Sequence, residues 1–311
     1  MKFTNKHNLP EPLFQALTED NHGKRGDISV TGLLKTPRQR LLAERHDDEI
    51  TVDASTRLWS LLGSAVHHII EKFGKTAEGF AEETMEEKVQ GPKGIWTVSG
   101  TPDWLELRGK TLVLSDWKCV GVFAFIFAKD NGYVKLEWEQ QLNIYRWMFH
   151  KRGFKIDRIE IGGMGRDWKK GDFEKKRAAG DNDYPSCPVN VYEVALWPME
   201  EVEEFVKKRV AVHQEAQDIP DAKLPECSPA DRWVRGEKWA LMFKQAKRAS
   251  RLFDTEHEAL EFAEQPEVKS RGGRIEYRPG KANHCDPDYC HGLPWCSQVC
   301  GVPSNGQKVT A

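Results

Sequence analysis

A short hairpin with charged ends constrains this chain more than any other stretch. Gly100-Thr101-Pro102-Asp103 leads into Trp104 to Leu107, and Thr111 to Leu114 runs on into Ser115-Asp116-Trp117-Lys118. Both segments are rich in Leu, Val, Trp and Thr, the composition of β-strands. Between them, Arg108-Gly109-Lys110 offers a glycine suited to a tight turn. With Gly109-Lys110 as the two-residue loop, Arg108 pairs with Thr111, Leu107 with Leu112, Leu105 with Leu114, and Asp103 with Asp116. Side chains alternate between faces along a strand, so Asp103, Leu105 and Leu107 share a face with Leu112, Leu114, Asp116 and Lys118. That face is apolar at the turn and carries two carboxylates and an ammonium at the open end.

Directly opposed residues of an antiparallel pair have Cβ atoms roughly 4.5–5.5 Å apart, and like charges placed there repel. Two facing aspartates therefore call for a neutralising partner. Mg²⁺ favours oxygen ligands and is commonly held by one or two carboxylates. Lys118 lies one side chain further along the same face, in reach of a water or a phosphate oxygen beside such an ion. Asp-x-Lys alone is common and usually marks a solvated surface hairpin. Its place here, one hairpin after Pro-Asp, makes it informative.

Two helical motifs flank the hairpin. Leu58 to Phe73 is strongly amphipathic, with Leu58, Leu61, Leu62, Ala65, Val66, Ile69 and Phe73 forming an apolar stripe. Gly63, His67 and Glu71 recur every four residues opposite that stripe, while His68 points to another sector. Downstream, Trp138 to Tyr145 opens a second helix in which Gln141 and Tyr145 sit four apart on one face. An exposed histidine or a polar Gln/Tyr pair is ordinary taken alone. Gly-x-x-x-His, Gly-x-x-Asp, Asp-x-Lys and Gln-x-x-x-Tyr in this order, within about a hundred residues, are not.

This series resembles the PD-(D/E)XK nuclease superfamily, and within it the RecB-like branch that includes lambda-exonuclease-type phage enzymes. The resemblance covers roughly residues 28–219. It implies an α/β fold, a central mixed β-sheet flanked by helices in a restriction-endonuclease-like core, with a Cys-rich C-terminal extension. It also implies Mg²⁺ or Mn²⁺ on His67, Asp103 and Asp116, with Lys118 as the catalytic lysine and Glu71 as an outer partner. Gln141 and Tyr145 would then steady the DNA backbone and the metal site. The implied activity is hydrolysis of phosphodiester bonds in DNA recombination, repair or processing, on linear DNA and its ends. A homo-oligomer or a phage single-strand-annealing protein would be the partner. An inactive nucleic-acid-binding module and a zinc-stapled adaptor are the alternatives.

Composition bounds the rest. The 311 residues are 39% hydrophobic and 30% charged, with eleven tryptophans to fill a core, and the net charge is −2. A chain so balanced is no general polyanion binder, so contact with nucleic acid needs a local basic patch. Met1 to Phe14 has no apolar signal region, and the longest apolar run, Cys119 to Ala128, is too short to span a bilayer. Seven cysteines without an export signal favour metal binding over disulfides and point to a cytoplasm, that of a bacterial host for a phage protein.

Residues 1–27, with Pro10 and Pro12, read as a loose arm. Ser29 to Leu42 reads as one capped helix with a basic shoulder, whose Arg38 and Arg40 are candidates for phosphate contact. Cys119 to Ala128 reads as a helix over the sheet, Ile156 to Met164 and Val189 to Leu196 as strands, and Glu200 to Gln217 as a charged helix. Between those strands, Trp168-Lys169-Lys170 and Lys175-Lys176-Arg177 form a basic loop, a further candidate for DNA contact. Ile219-Pro220 separates the core, 28–219, from an extension, 220–311.

In the extension, a helical segment is expected around Lys244, Lys247, Arg248 and Arg251. Cys285, Cys290 and Cys296 follow at spacings dense for a reduced protein, and thiolates so close share a soft metal. Zinc would take four Cys, or Cys and His together, and an iron–sulfur cluster would take four thiolates. Several RecB-like nucleases carry a four-cysteine iron–sulfur staple, with one distant cysteine and three near the C-terminus. This chain has no cysteine in its N-terminal helices, so Cys227 becomes the distant ligand, with Cys300 as the rival fourth. His284 and His291 compete only for zinc. Cys119 and Cys187 read as ordinary residues.

Overall fold

The Gly109-Lys110 turn forms with the expected pairing, Arg108 opposite Thr111, Leu107 opposite Leu112 and Leu105 opposite Leu114, and Gly109 adopts φ +68°. A left-handed residue is cheap only as glycine, and this one sets the register of everything on the hairpin. In this computed structural model the described residues are 1–19, 26–74, 79–81, 83–132, 134–243 and 248–299. They fall into two compact units, Met1–Pro37 with Asp47–Ile219, and Arg38–His46 with Pro220–Ala311.

In chain order the first unit begins with β1 (Lys2–Thr4), α1 (Glu11–Thr18), β2 (Ile28–Ser29) and α2 (Val30–Leu34). The helix α3 (Pro37–Arg45) passes into the second unit. The first unit resumes with β3 (Thr51–Asp53), α4 (Leu58–Gly74), β4 (Gly79–Ala81), β5 (Met85–Gly91) and β6 (Gly94–Gly100). Next come the hairpin strands β7 (Trp104–Arg108) and β8 (Thr111–Val120), then α5 (Phe123–Asn131) and α6 (Leu136–Lys151). The unit closes with β9 (Arg158–Gly165), α7 (Lys170–Ala178), β10 (Val189–Val194) and α8 (Met199–Ala216).

The main sheet has the order β10-β9-β8-β7-β4, with β8 and β9 parallel and the other pairs antiparallel. A second sheet runs β2-β6-β5. The protein is thus a mixed α/β structure whose sheets are flanked by helices, as the hairpin and its flanking helices led us to expect. One core joins Leu105 and Leu114 of the hairpin to Leu142, Ile144 and Met148 of α6, to Ile159 and Ile161 of β9, and to Val202, Val206 and Val210 of α8. Buried Asn143 locks α6 in place. Its Nδ2 donates to the Ala195 carbonyl at 3.0 Å, and its Oδ1 accepts from the Trp197 N–H at 2.9 Å.

Several expectations are corrected. The arm over 1–27 is built in part: β1 pairs in parallel with β3, and the N-terminal ammonium pairs with Asp47 at 2.7 Å. The helix expected over Ser29 to Leu42 is two. Ser29 Oγ caps α2 through the Gly32 N–H at 3.0 Å, and Lys35 then turns extended ahead of Pro37. A proline disfavours helical geometry just before it, which divides the segment. Cys119 and Val120 finish β8, and α5 starts only at Phe123; the basic loop is largely α7.

The apolar stripe of α4 does not face the core. Leu58, Leu62, Ile69 and Phe73 are all exposed, and the helix turns its His67 side to the sheet instead.

The second unit adds β11 (Val234–Arg235), β12 (Lys238–Phe243), β13 (Arg251–Phe253), α9 (Glu256–Ala263), α10 (Pro266–Ser270), β14 (Gly273–Arg278) and β15 (Lys281–Ala282). Strands β13-β12-β14 form an antiparallel sheet around Leu241, Phe253, Ala259 and Val268. The helix expected around Arg248 and Arg251 is absent there, since Arg251 lies in β13; Lys244 and Lys247 lie outside the described residues. Ala240, Leu241 and Met242 of β12 are all buried between β13 and β14, the short continuous apolar run of a central strand. Among the described residues, no helix is long and apolar enough to cross a membrane.

Candidate active site and a cysteine cavity

Continuing the hairpin register one step past Trp104 and Ser115 brings Asp103 beside Asp116 at the open end. Asp103 sits just before β7 and is 4% exposed. Its Oδ2 accepts the Trp117 N–H at 2.6 Å, and its Oδ1 lies 3.2 Å from His67 Nδ1. His67 Nε2 is 3.2 Å from the Trp117 carbonyl oxygen. With acceptors at both ring nitrogens, this imidazole is held as the imidazolium. The hydrogen bond to Asp103 is the largest cause, burial opposes it, and the Asp103 and Asp116 charges add to it, so the pKa rises to about 9.

Asp116 is 1% exposed. Lys118 Nζ stands 2.6 Å from its Oδ2, while its buried Oδ1 has no hydrogen-bond partner. Burial first, and the Asp103 carboxylate after it, push the Asp116 pKa up, with Lys118 and His67 pulling the other way. Lys118 Nζ also donates to Gln141 Oε1 at 3.1 Å, and Gln141 Nε2 donates to the Tyr145 hydroxyl at 3.2 Å. Burial, then the Asp116 charge, raise the Tyr145 pKa further above its ordinary range, so the phenol keeps its proton. A single chain of contacts therefore links Asp116, Lys118, Gln141 and Tyr145.

The glycine of Gly-x-x-Asp has a plain packing reason. A Cβ on Gly100 would fall 2.5 Å from the Tyr145 ring, so only glycine lets α6 bring Tyr145 against the hairpin entrance. Gly162 does the same on β9, where a Cβ would sit 2.5 Å from the Trp117 ring. Glu71 lies 3.8 Å from exposed His68.

Once His67 gives up its extra proton, one imidazole and two carboxylates at one place are a donor set for a hard divalent ion. Among the described residues, no three His, Cys, Asp or Glu side chains stand arranged as a preformed metal shell. The reason is local: Asp103 is turned to Trp117 and His67, and Lys118 holds Asp116. The partnerless Asp116 Oδ1 nonetheless fits such an ion. An anionic oxygen buried without a donor is costly, and a cation is what satisfies it.

Arg38 and Arg40 lie on α3, in the second unit. Both are buried in the second unit, at 3% and 6% exposure, which removes them from any phosphate backbone. Arg38 donates to the carbonyls of Pro225, at 3.1 Å, and Leu224, and to Ser297 Oγ at 3.0 Å. Its Nη1 also lies 3.8 Å from Cys296 Sγ. Arg40 pairs with Glu44 at 2.6 Å.

Within that unit, Cys227, Cys285, Cys290 and Cys296 line one cavity together with Arg38, Arg232 and His284. Burial first, then the sulfurs of Cys296, Cys227 and Cys285, push the Cys290 thiol up to about 11. Cys227 is clamped by Gln298, whose Oε1 accepts its N–H at 3.0 Å and whose Nε2 donates to its carbonyl at 2.8 Å. His284 turns Nδ1 to the Asp231 carbonyl at 2.7 Å and stacks on Trp233. Cys300 lies outside the described residues. The cationic lining was missed in the sequence because an arginine 189 positions before Cys227 carries no local signal of it: Arg38 Nη1 lies near Cys296 Sγ, and Arg232 lines the same cavity.

No protein-family model and no curated protein sequence matches this chain. Among solved structures, one titled "Crystal structure of SSO0001" is similar over 67% of this chain and 86% of that chain. The identity is 15% and the TM-score 0.44, which is too distant to carry an argument.

Proposed function

We propose that this chain is a Mg²⁺- or Mn²⁺-dependent DNA nuclease of the PD-(D/E)XK type, similar to RecB-like and lambda-exonuclease-type enzymes. One observation carries the reading. Asp116 is buried with a partnerless oxygen, beside Asp103 and His67, and its other oxygen is 2.6 Å from Lys118. A fold gains nothing from two facing carboxylates and a lysine at a strand end unless the cluster serves chemistry.

His67, Asp103 and Asp116 would hold the ion. When bound, it supplies Lewis acidity toward a phosphoryl oxygen and lowers the pKa of a coordinated water. Lys118 offers its ammonium to the attacking water and to the charge that develops on phosphate as water adds and the P–O bond breaks. Gln141 fixes Lys118 Nζ, and Tyr145 fixes Gln141, so the ammonium is positioned before substrate arrives. Trp117 orients Asp103 through its backbone N–H.

The cysteine cavity supports a second, structural centre on Cys227, Cys285, Cys290 and Cys296, either an iron–sulfur cluster or zinc. Bound to such a centre, the four cysteines would carry negative charge that Arg38 and Arg232, which line the same cavity, would offset, and four protein ligands would leave no position for substrate. Linear DNA ends are the proposed substrate. Purified protein incubated with end-labelled linear DNA and with circular DNA tests this: degradation in Mg²⁺ that stops in EDTA is the result the proposal requires. Intact DNA in Mg²⁺ and in Mn²⁺ would refute it.

A further inference from the structure

Helix α4 carries an unusual row ahead of His67. Trp59, Gly63 and His67 are spaced every four residues and so lie along one face. Trp59 is 48% exposed, and of the eleven tryptophans it alone is exposed. The Arg166 guanidinium lies over its ring, 4.6 Å from the centroid. Arg166 is itself exposed, and its N–H donates to the Val120 carbonyl at 2.9 Å, which ties it to the end of the strand that bears Lys118.

Between Trp59 and His67 the helix has a glycine that neither torsion nor packing requires. Gly63 lies in regular helix, and a Cβ added there would meet nothing within 4 Å. A glycine inside a helix costs roughly 0.5–1 kcal/mol relative to alanine. What it provides here is a bare stretch of helix surface between an exposed indole and the candidate site. At 1.5 Å per residue, Trp59 lies about 12 Å along the axis from His67, roughly three stacked bases at about 3.4 Å each.

We infer that Trp59, backed by Arg166, is a base-stacking platform for an unpaired strand of nucleic acid that crosses Gly63 to reach the site. An open indole face takes any base, and a guanidinium beside it adds attraction for the phosphates. A base still paired within a duplex presents no face to a side chain, so the platform selects single strands or unpaired ends. Trp59 is a positioning residue, and the inference rests on the nuclease reading for its substrate.

Binding in EDTA separates the two, because it does not depend on cleavage. The test uses the full chain with a fluorescein-labelled single-stranded oligonucleotide and a blunt duplex of the same sequence, read by anisotropy. Wild type is expected to prefer the single strand. Trp59→Ala should weaken that binding about tenfold and leave the duplex within twofold, while Trp59→Phe should restore most of the loss. Gly63→Leu, which enters open space, should weaken single-strand binding with the fold intact, and it serves if Trp59→Ala fails to fold. Single-strand affinity within twofold of wild type in Trp59→Ala and Gly63→Leu overturns the inference. So does an equal loss on the duplex, or a change in oligomeric state in place of a binding defect. Cleavage in Mg²⁺ is scored separately: if it is absent the nuclease reading falls, while Trp59-dependent binding in EDTA still upholds the platform.

Discussion

His67 holds its extra proton because two oxygens face its two ring nitrogens, and this gives the site a defined pH behaviour without metal. Its folded-state pKa, about 9, lies above the ordinary 6.5, with the Asp103 hydrogen bond as the main cause. The protonated ring therefore stabilises the fold fully below pH 6.5, and that contribution is lost as the pH rises through about 9. NMR titration in EDTA should find His67 titrating near 9, and Asp103→Asn should bring it back toward 6.5. A titration near 6.5 in the unmodified protein would contradict the described contacts. Lys118 makes a different claim. Its side chain is partly exposed at the strand end, so Lys118→Ala should fold and melt like wild type while losing at least a hundredfold in turnover. At this scale much of the site was legible. Strand alternation alone put Asp103, Asp116 and Lys118 on one face, and helical spacing put His67 with Gly63. Arg38 and Arg40 were misread, because a basic shoulder on a helix says nothing about what later packs over it.

The helix α4 shows where element-level reading stops. Its apolar stripe was as strong a helical pattern as the chain has, and the helix formed, but Ile69 and Phe73 are 54% and 65% exposed. A hydrophobic period reports that a face is apolar, and the core is not the only thing it can meet. Substitutions divide accordingly. Ile69→Gln and Phe73→Gln should change unfolding free energy by no more than about 0.5 kcal/mol in urea titrations, as exposed positions do. Leu105→Ala, in the hairpin core at 2% exposure, should cost about 2–5 kcal/mol. Equal losses at all three positions would mean that the stripe is buried. The hairpin was legible to the residue because Gly109 fixes its turn, whereas the division of α2 from α3 hinged on a proline that the apolar pattern runs straight through.

For the whole molecule, the α/β class with a mixed sheet followed from the hairpin, the helix motifs and the later strands. The passage of Arg38–His46 into the second unit did not, since only three-dimensional packing pairs an early helix with residues after Pro220. That unit should be held by its cysteines. Protein purified without oxygen should contain close to one centre per chain, brown with iron and sulfide or colourless with zinc, and Cys285→Ala should release it and lower the melting temperature. Neither metal present, together with wild-type melting of Cys285→Ala, would leave the four thiols as packing alone. The nuclease claim is tested most directly by turnover on end-labelled linear DNA in Mg²⁺, comparing wild type, Asp116→Ala and Lys118→Ala with each fold checked by circular dichroism. The account predicts turnover from the wild type and at least a hundredfold less from either folded variant. Product from both variants at the wild-type rate would contradict it.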